Sequence, residues 1–126
     1  MADKANPVNW FEIPVTDLER ARKFYEGVFG LNMEVHDMGI VQMAWFPEMM
    51  MEAYGATGSL VKGKGYVPSH VGIMIYFSVP DIEATLGKVA ANGGKTLVPK
   101  MSIGEYGFIA HFEDTEGNRV SLHSMS

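Results

Sequence analysis

Hydrophobic and polar residues alternate with two different periods along the first thirty positions. Trp10 to Val15 is rich in aromatic and β-branched residues, which predicts a strand. The next apolar residues lie three or four positions apart, as on one face of a helix: Leu18, Ala21, Phe24, Tyr25 and Val28. Thr16 with Glu19 has the form of a capping box, and Asp17 is an alternative N-cap. The pattern therefore predicts a strand followed by a helix from about Asp17 to Phe29, which ends at Gly30.

The same order of elements occurs again in the second half of the chain. Shorter β-like runs follow the first helix: Met33–His36, Ile40–Phe46 and Gly58–Lys62. After a predicted loop at Pro47–Glu52 and a glycine-rich linker at 63–68, the pattern predicts another strand and helix: Val71–Val79 and Asp81–Ala91. Three further strands are predicted after that helix: Lys95–Val98, Gly107–Phe112 and Arg119–His123.

An internal repeat explains this recurrence. Asp17-Leu-Glu19 aligns with Asp81-Ile-Glu83 at a shift of 64 residues. Ser59-Leu60 aligns with Ser121-Leu122 at a shift of 62. The repeat predicts one domain over residues 1–126, built from two βαβββ modules at about 6–62 and 70–123.

Composition narrows the possible functions. The chain has 126 residues, a net charge of -5 and no cysteine. The acidic balance argues against nucleic acid as a partner, and the absence of cysteine excludes disulfides and thiolate chemistry. The N-terminal residues lack the apolar core of a signal peptide, and no apolar run is long enough for a membrane helix. We therefore expect a cytoplasmic protein with no membrane partner.

Three features together resemble the vicinal oxygen chelate superfamily, which contains glyoxalase I, bleomycin-resistance proteins and extradiol dioxygenases. They are the paired modules, the segment Val15–Tyr25 with Phe29-Gly30, and the turn Asp114–Asn118. The resemblance covers about Val8 to Leu122. It implies an α+β fold in which two curved mixed sheets surround a cup, with the helices outside. It also implies a homodimer, with the cup formed within one chain or between two.

The resemblance locates four positions at which metal-dependent members of the superfamily carry His, Gln or Glu. They are occupied here by Trp10, Ser59, Met74 and Ser121. None is a good ligand for a hard or borderline divalent ion, so no cofactor is predicted. Because strand side chains alternate, a shift of two residues keeps the same face and brings in other side chains: Glu12, Val61, Tyr76 and His123. Glu12 and His123 are thus the candidates for a weak metal site or for acid–base catalysis.

Serine hydrolase chemistry is disfavoured for Ser121 with His123. Side chains two apart on a strand have Cα atoms about 6.5–7 Å apart, too far for a nucleophile and its base. Glu12 is the one acid in an apolar strand and could act as a general base. His111 is expected to be a buried histidine with a hydrogen-bond partner. His36 and His70 are expected at the surface.

Methionine and aromatic residues are placed where they could line a cup. The candidate walls comprise methionines and aromatic side chains from several predicted strands and loops: Met38, Met43, Met49–Met51, Met74, Met101, Trp10, Trp45, Phe46, Tyr54, Tyr76 and Tyr106. Some of them could instead fill the core. The predicted ligand-binding residues are Trp10, Ser59, Met74, Tyr76 and Ser121.

Three functions remain open at the level of the sequence. The first is a metal-independent small-molecule binding protein or enzyme of this superfamily. The second is a metal-dependent isomerase, lyase or dioxygenase that uses unusual ligands. The third is a resistance protein that sequesters a drug, for which the net charge of -5 would suit a cationic molecule. The sequence names no ligand.

Overall fold

A computed structural model describes residues 6–47 and 55–126. The first half contains a strand, a helix and three more strands: β1 Trp10–Pro14, α1 Leu18–Phe29, β2 Glu34–Asp37, β3 Val41–Trp45 and β4 Thr57–Gly63. The second half has the same order: β5 Tyr76–Ser78, α2 Ile82–Ala91, β6 Lys95–Ser102, β7 Phe108–Glu113 and β8 Arg119–Ser124. A short 3-10 helix, Gly104–Tyr106, precedes β7.

The strands form two mixed sheets with the same topology. The first has the order β1-β4-β3-β2 and the second the order β5-β8-β7-β6. In each, the first and last strands of a module are parallel and the other neighbours are antiparallel. The expected α+β architecture of two βαβββ units with mixed sheets is confirmed, and the two four-stranded sheets do not close into a barrel.

Both helices begin at an aspartate. Asp17 has extended backbone angles and accepts a hydrogen bond from the Arg20 N–H, so it is the N-cap of α1 in place of Thr16. Asp81 does the same for α2 through the Ala84 N–H. Gly30 ends α1 with a left-handed backbone (φ 65°), a conformation that costs glycine little.

The hydrophobic core joins the two modules. The buried face of α1 packs on the sheet residues Ile13, Ala44 and Leu60 from the first module, and the same core includes Phe112 and Leu122 from the second. Aromatic contacts cross the boundary, for example between Phe29 and Phe77, whose ring centroids are 4.5 Å apart. Phe46 and Met43 are buried, so of the two alternatives left open for the candidate wall residues, filling the core applies to these two. Within residues 6–47 and 55–126, no helix is long and apolar enough to cross a membrane.

The turn before β8 ties the second module to the start of α1. Glu116 accepts hydrogen bonds from the backbone of Thr16 and Asp17 and from the guanidinium of Arg20, at 2.7–3.0 Å. Burial by itself raises the pKa of Glu116, but the hydrogen bonds from Arg20 and from the backbone of Asp17 and Thr16 lower it to about 2. Gly117 adopts a positive φ of 92° in this turn. The charged state of Glu116 is therefore part of the fold.

A second link in the same turn is fully buried. The Tyr25 hydroxyl donates to Asp114 Oδ2 over 2.7 Å, and burial raises the pKa of Tyr25 well above its usual value. The side-chain amide of Asn118 donates to the Pro14 carbonyl over 2.7 Å. The predicted turn thus exists and also holds the modules together.

The main error of the sequence analysis concerns the strand predicted at Val71–Val79. The strand itself covers only Tyr76–Ser78, while Val71 and Ile73 are 83% and 96% exposed. Gly72 has a φ of 96°, which interrupts extended backbone at this point. β6 is longer than predicted and reaches Ser102. The predicted loop and wall residues from position 48 to 54, Met49–Met51 and Tyr54 among them, lie outside the described residues.

Candidate functional site

Each sheet has one face against the helices and one face free of them. In the first sheet, Ser59 lies opposite Glu12 on β1 and opposite Trp45 on β3. In the second sheet, Ser121 lies opposite Tyr76 on β5 and opposite His111 on β7. The neighbouring residues Leu60 and Leu122 belong to the core, so these side chains point to the helix-free face.

We call Glu12, Ser59 and Trp45 the first polar row, and Tyr76, Ser121 and His111 the second polar row. Their central serines occupy matching places on β4 and β8 and are both fully buried. The two rows therefore allow the two modules to be compared residue by residue.

The second polar row contains a short hydrogen bond. Ser121 Oγ lies 2.6 Å from His111 Nδ1. The rings of Tyr76 and His111 meet edge to face, with centroids 6.1 Å apart. Burial, and then the positive charge of Arg119, lower the pKa of His111, so its neutral form is favoured at pH 7. The row thus holds a neutral imidazole in a fixed orientation.

The first polar row has no equivalent bond. Ser59 Oγ and Trp45 Nε1 are both buried, and neither has a hydrogen-bond partner among residues 6–47 and 55–126. Trp10 meets Trp45 nearly at a right angle, with ring centroids 5.8 Å apart. His36 stacks on Trp45 with centroids 3.8 Å apart. This row is mainly an aromatic surface.

The comparisons with known proteins agree with this architecture. The model of the Glyoxalase/Bleomycin resistance protein/Dioxygenase superfamily matches residues 8–122. The chain belongs to this superfamily. A glyoxylase-like domain-containing protein from Didymella fabae is 34% identical over 121 residues, which cover 91% of either chain.

Solved structures of the superfamily have the same fold. A glyoxylase/bleomycin resistance protein/dioxygenase domain from Frankia sp. EAN1pec superimposes with a TM-score of 0.74 at 16% identity and covers 98% of this chain and 100% of that one. Glyoxalase I from Zea mays gives a TM-score of 0.68 at 24% identity and covers 97% of this chain. The match spans 47% of the maize protein, about half its length.

Many members of the superfamily bind a divalent metal, and the residues at the four expected ligand positions can be tested against that chemistry. Met74 Sδ accepts hydrogen bonds from Arg119 Nε and Nη2 at 3.1 and 2.8 Å, so a cation already faces the sulfur. The Ser121 hydroxyl is already hydrogen-bonded to His111 Nδ1. The Trp10 side chain offers only an N–H donor, which lies 3.4 Å from a Glu12 carboxylate oxygen. Within the described ranges, no three His, Asp or Glu side chains converge. This set of donors does not fit a hard divalent ion.

The candidate acid and base do not form a pair. Glu12 is exposed and contacts Trp10, whereas His123 donates through Nε2 to the Tyr106 carbonyl over 2.7 Å. Ser121 bonds His111 rather than His123, which agrees with the rejection of a Ser121–His123 nucleophile. His111 is half-buried and has the hydrogen-bond partner that was expected of it.

The sequence analysis missed the pairing of Ser121 with His111. The turn at 114–118 closes with Glu113 opposite Arg119, and two residues outward on either strand the register brings His111 opposite Ser121. Because hairpin register follows from the position of the turn, counting outward from this turn would have predicted the pair.

Proposed function

We propose that this chain binds a small organic molecule at the helix-free faces of its sheets, without a resident divalent metal. The observation that carries the proposal is the replacement of metal ligands at all four expected positions by Trp10, Ser59, Met74 and Ser121. Two of these side chains already have other hydrogen-bond partners, since Met74 accepts from the Arg119 guanidinium and Ser121 is bonded to the His111 imidazole.

The exposed side chains define the contact surface for such a ligand. Trp10 is 38% exposed and Tyr76 is 49% exposed, so both offer aromatic area, and Glu12 adds a carboxylate beside Trp10. Aromatic walls with a few polar points are typical of small-molecule sites. Ser59 and Ser121 are fully buried, so we assign them to positions behind this surface. Met74 contributes through its contact with Arg119.

The size of the neighbouring cleft favours a small ligand. A cleft of about 220 Å³ lies beside Glu12, Ile73 and Arg119. Sites for drug-sized molecules usually measure about 300–1,000 Å³. The cleft therefore supports a small metabolite in preference to a sequestered drug.

We further propose that the functional unit is a homodimer. Three apolar side chains of the segment that precedes β5, Val67, Val71 and Ile73, are 72–96% exposed and line this cleft. β1 and β5 are edge strands of their sheets, so a second chain could cover both. Sedimentation or light scattering at several concentrations tests this, and a species that stays monomeric at all of them contradicts it.

The metal-independent proposal is tested on the purified protein. Metal content is measured, and thermal unfolding is followed during titration with nickel, zinc, manganese and iron(II). We expect substoichiometric metal and no large shift of Tm. Metal near one per chain, or a large stabilisation that Glu12→Ala or His123→Ala abolishes, would support the metal-dependent alternative instead. A metabolite panel in the same assay then identifies compounds that raise Tm.

A further inference from the structure

We propose that His111, oriented by Ser121, presents its Nε2–H together with the Tyr76 hydroxyl as a binding site for the carboxylate of a small organic acid. This inference rests on the proposed function and names the chemical class of its ligand.

The position of the ring proton follows from the hydrogen bonds of Ser121. The side chain is fully buried, and His111 Nδ1 is its one partner among the described residues. If Nδ1 carried the proton and donated to Ser121, the serine proton would be buried without an acceptor, which is costly. The serine hydroxyl therefore donates to Nδ1. In a neutral imidazole the proton then resides on Nε2, which makes Nε2 a donor and not a base.

The Nε2 donor is available to a ligand. No other residue within 6–47 and 55–126 forms a hydrogen bond with the His111 ring, which is partly exposed. Tyr76 lies beside it on the same face, and its phenol is able to donate a second hydrogen bond. Two neighbouring donors suit the two oxygens of a carboxylate.

The local charge favours an anion over a neutral acceptor. Arg119 is close enough to lower the pKa of His111, and its guanidinium donates to the thioether of Met74, a weak acceptor. Glu113 lies opposite Arg119 in the register, but its carboxylate contacts His70 at 2.6 Å and Lys95 at 3.7 Å. Arg119 therefore places a positive charge close to His111, which favours a negative group at the second polar row.

The test uses the full-length protein labelled with ¹⁵N and three fragments of similar shape: phenylacetate, phenylacetamide and 2-phenylethylamine. Long-range ¹H–¹⁵N spectra first establish which ring nitrogen of His111 carries the proton, and we expect Nε2. Titrations then compare the fragments. We expect phenylacetate to bind at least about tenfold more tightly than the other two and to shift the His111 ring signals, because hydrogen bonds to a charged acceptor are the stronger ones.

Variants separate the role of His111 from a general effect on the fold. His111→Phe is expected to remove the preference for phenylacetate. Ser121→Ala keeps the imidazole but frees Nδ1, so a mixture of ring tautomers and weaker phenylacetate binding are expected. His36→Phe, on the first sheet, is the matched control and should leave the affinity unchanged. Spectra of folded protein are required for each variant.

Each outcome is decisive. A proton on Nδ1 in the wild type overturns the inference before any ligand is added. Binding of the amide or the amine with no preference for phenylacetate, or a preference that survives in His111→Phe, overturns it and leaves the proposed function in place. Absence of binding by all three fragments also overturns the inference, whereas the proposed function fails only if no compound of the metabolite panel raises Tm.

Discussion

The two modules place a serine at the same position of their last strand and surround it differently. Ser121 is bonded to His111, whereas Ser59 faces Trp45, and neither Ser59 nor Trp45 has a polar partner within the described part of the chain. On the helix-free face of the second sheet the polar side chains are hydrogen-bonded to each other, whereas the same face of the first sheet is mainly aromatic. A duplicated backbone can thus keep its register while the chemistry of its faces diverges, because register depends on turns and core residues rather than on the two polar rows.

The second module also provides the polar contacts that hold the first one, and removing them should have the largest effect. Glu116→Ala deletes an acceptor whose side chain is 0% exposed and leaves the N–H groups of Thr16 and Asp17 unsatisfied. We expect a loss of about 2–3 kcal/mol in the free energy of unfolding. Urea denaturation measures it. The control is Glu83→Ala at an exposed position of α2. An equal loss of stability in this variant would contradict the special role of Glu116.

The hydrogen bonds of Glu116 also predict that the free energy of unfolding depends on pH, by a similar or slightly smaller amount. The pKa of Glu116 is lowered in the folded state from 4.5 to about 2, so its contribution to stability is complete above pH 4.5 and is lost as the pH falls toward 2. We expect wild-type and Glu116→Gln proteins to differ most near neutral pH and to converge in acid. Urea unfolding of both proteins across this range checks it, and a constant difference would show that the charge is not involved.

Breaking the hydrogen bond between Ser121 and His111 should lower the free energy of unfolding by a smaller amount. Ser121→Ala removes the partner of His111 Nδ1, and the half-buried ring can recover part of the loss by bonding water. We expect destabilisation of about 1 kcal/mol, together with a rearranged His111 tautomer in NMR spectra. A double-mutant cycle with His111→Phe isolates the pair, and a coupling energy near zero would mean that the bond adds no stability.

The matched change in the first row should have the smallest effect. Ser59→Ala removes a buried hydroxyl that has no partner among the described residues, so stability is expected to stay equal or to rise by up to about 1 kcal/mol. The same urea assay measures it. If Ser59→Ala is as destabilising as Ser121→Ala, the contrast between the two rows is wrong.

Local signals in the sequence were sufficient for the helices and for the repeat. The predicted first helix differs from α1 by one residue at its start, because an aspartate cap and a C-terminal glycine bracket a clear apolar stripe. The start of the strand at Val71–Val79 was mispredicted because its apolar residues Val71 and Ile73 are exposed in the described structure. Composition alone does not distinguish a buried strand from an apolar surface segment.

The candidate site was predicted in outline only. Trp10, Glu12, Tyr76 and Ser121 do lie on helix-free faces, as alternation within strands implies. The bond between Ser121 and His111 depends on pairing across a hairpin, and that information lies in the register and not in either strand. Burial of Ser59 and Ser121 likewise depends on tertiary packing that no local pattern reports.

The contact of Glu116 with the start of α1 has a consequence for synthesis of the chain. Residues 16 and 17 leave the ribosome about a hundred residues before the carboxylate that completes their hydrogen bonds. Tyr25 is likewise synthesised long before Asp114, the acceptor of its hydroxyl. Domains generally fold as units during translation. The nascent first module therefore carries an unfinished helix start and an unpaired tyrosine until the turn at 114–118 emerges, so these contacts can form only late in synthesis.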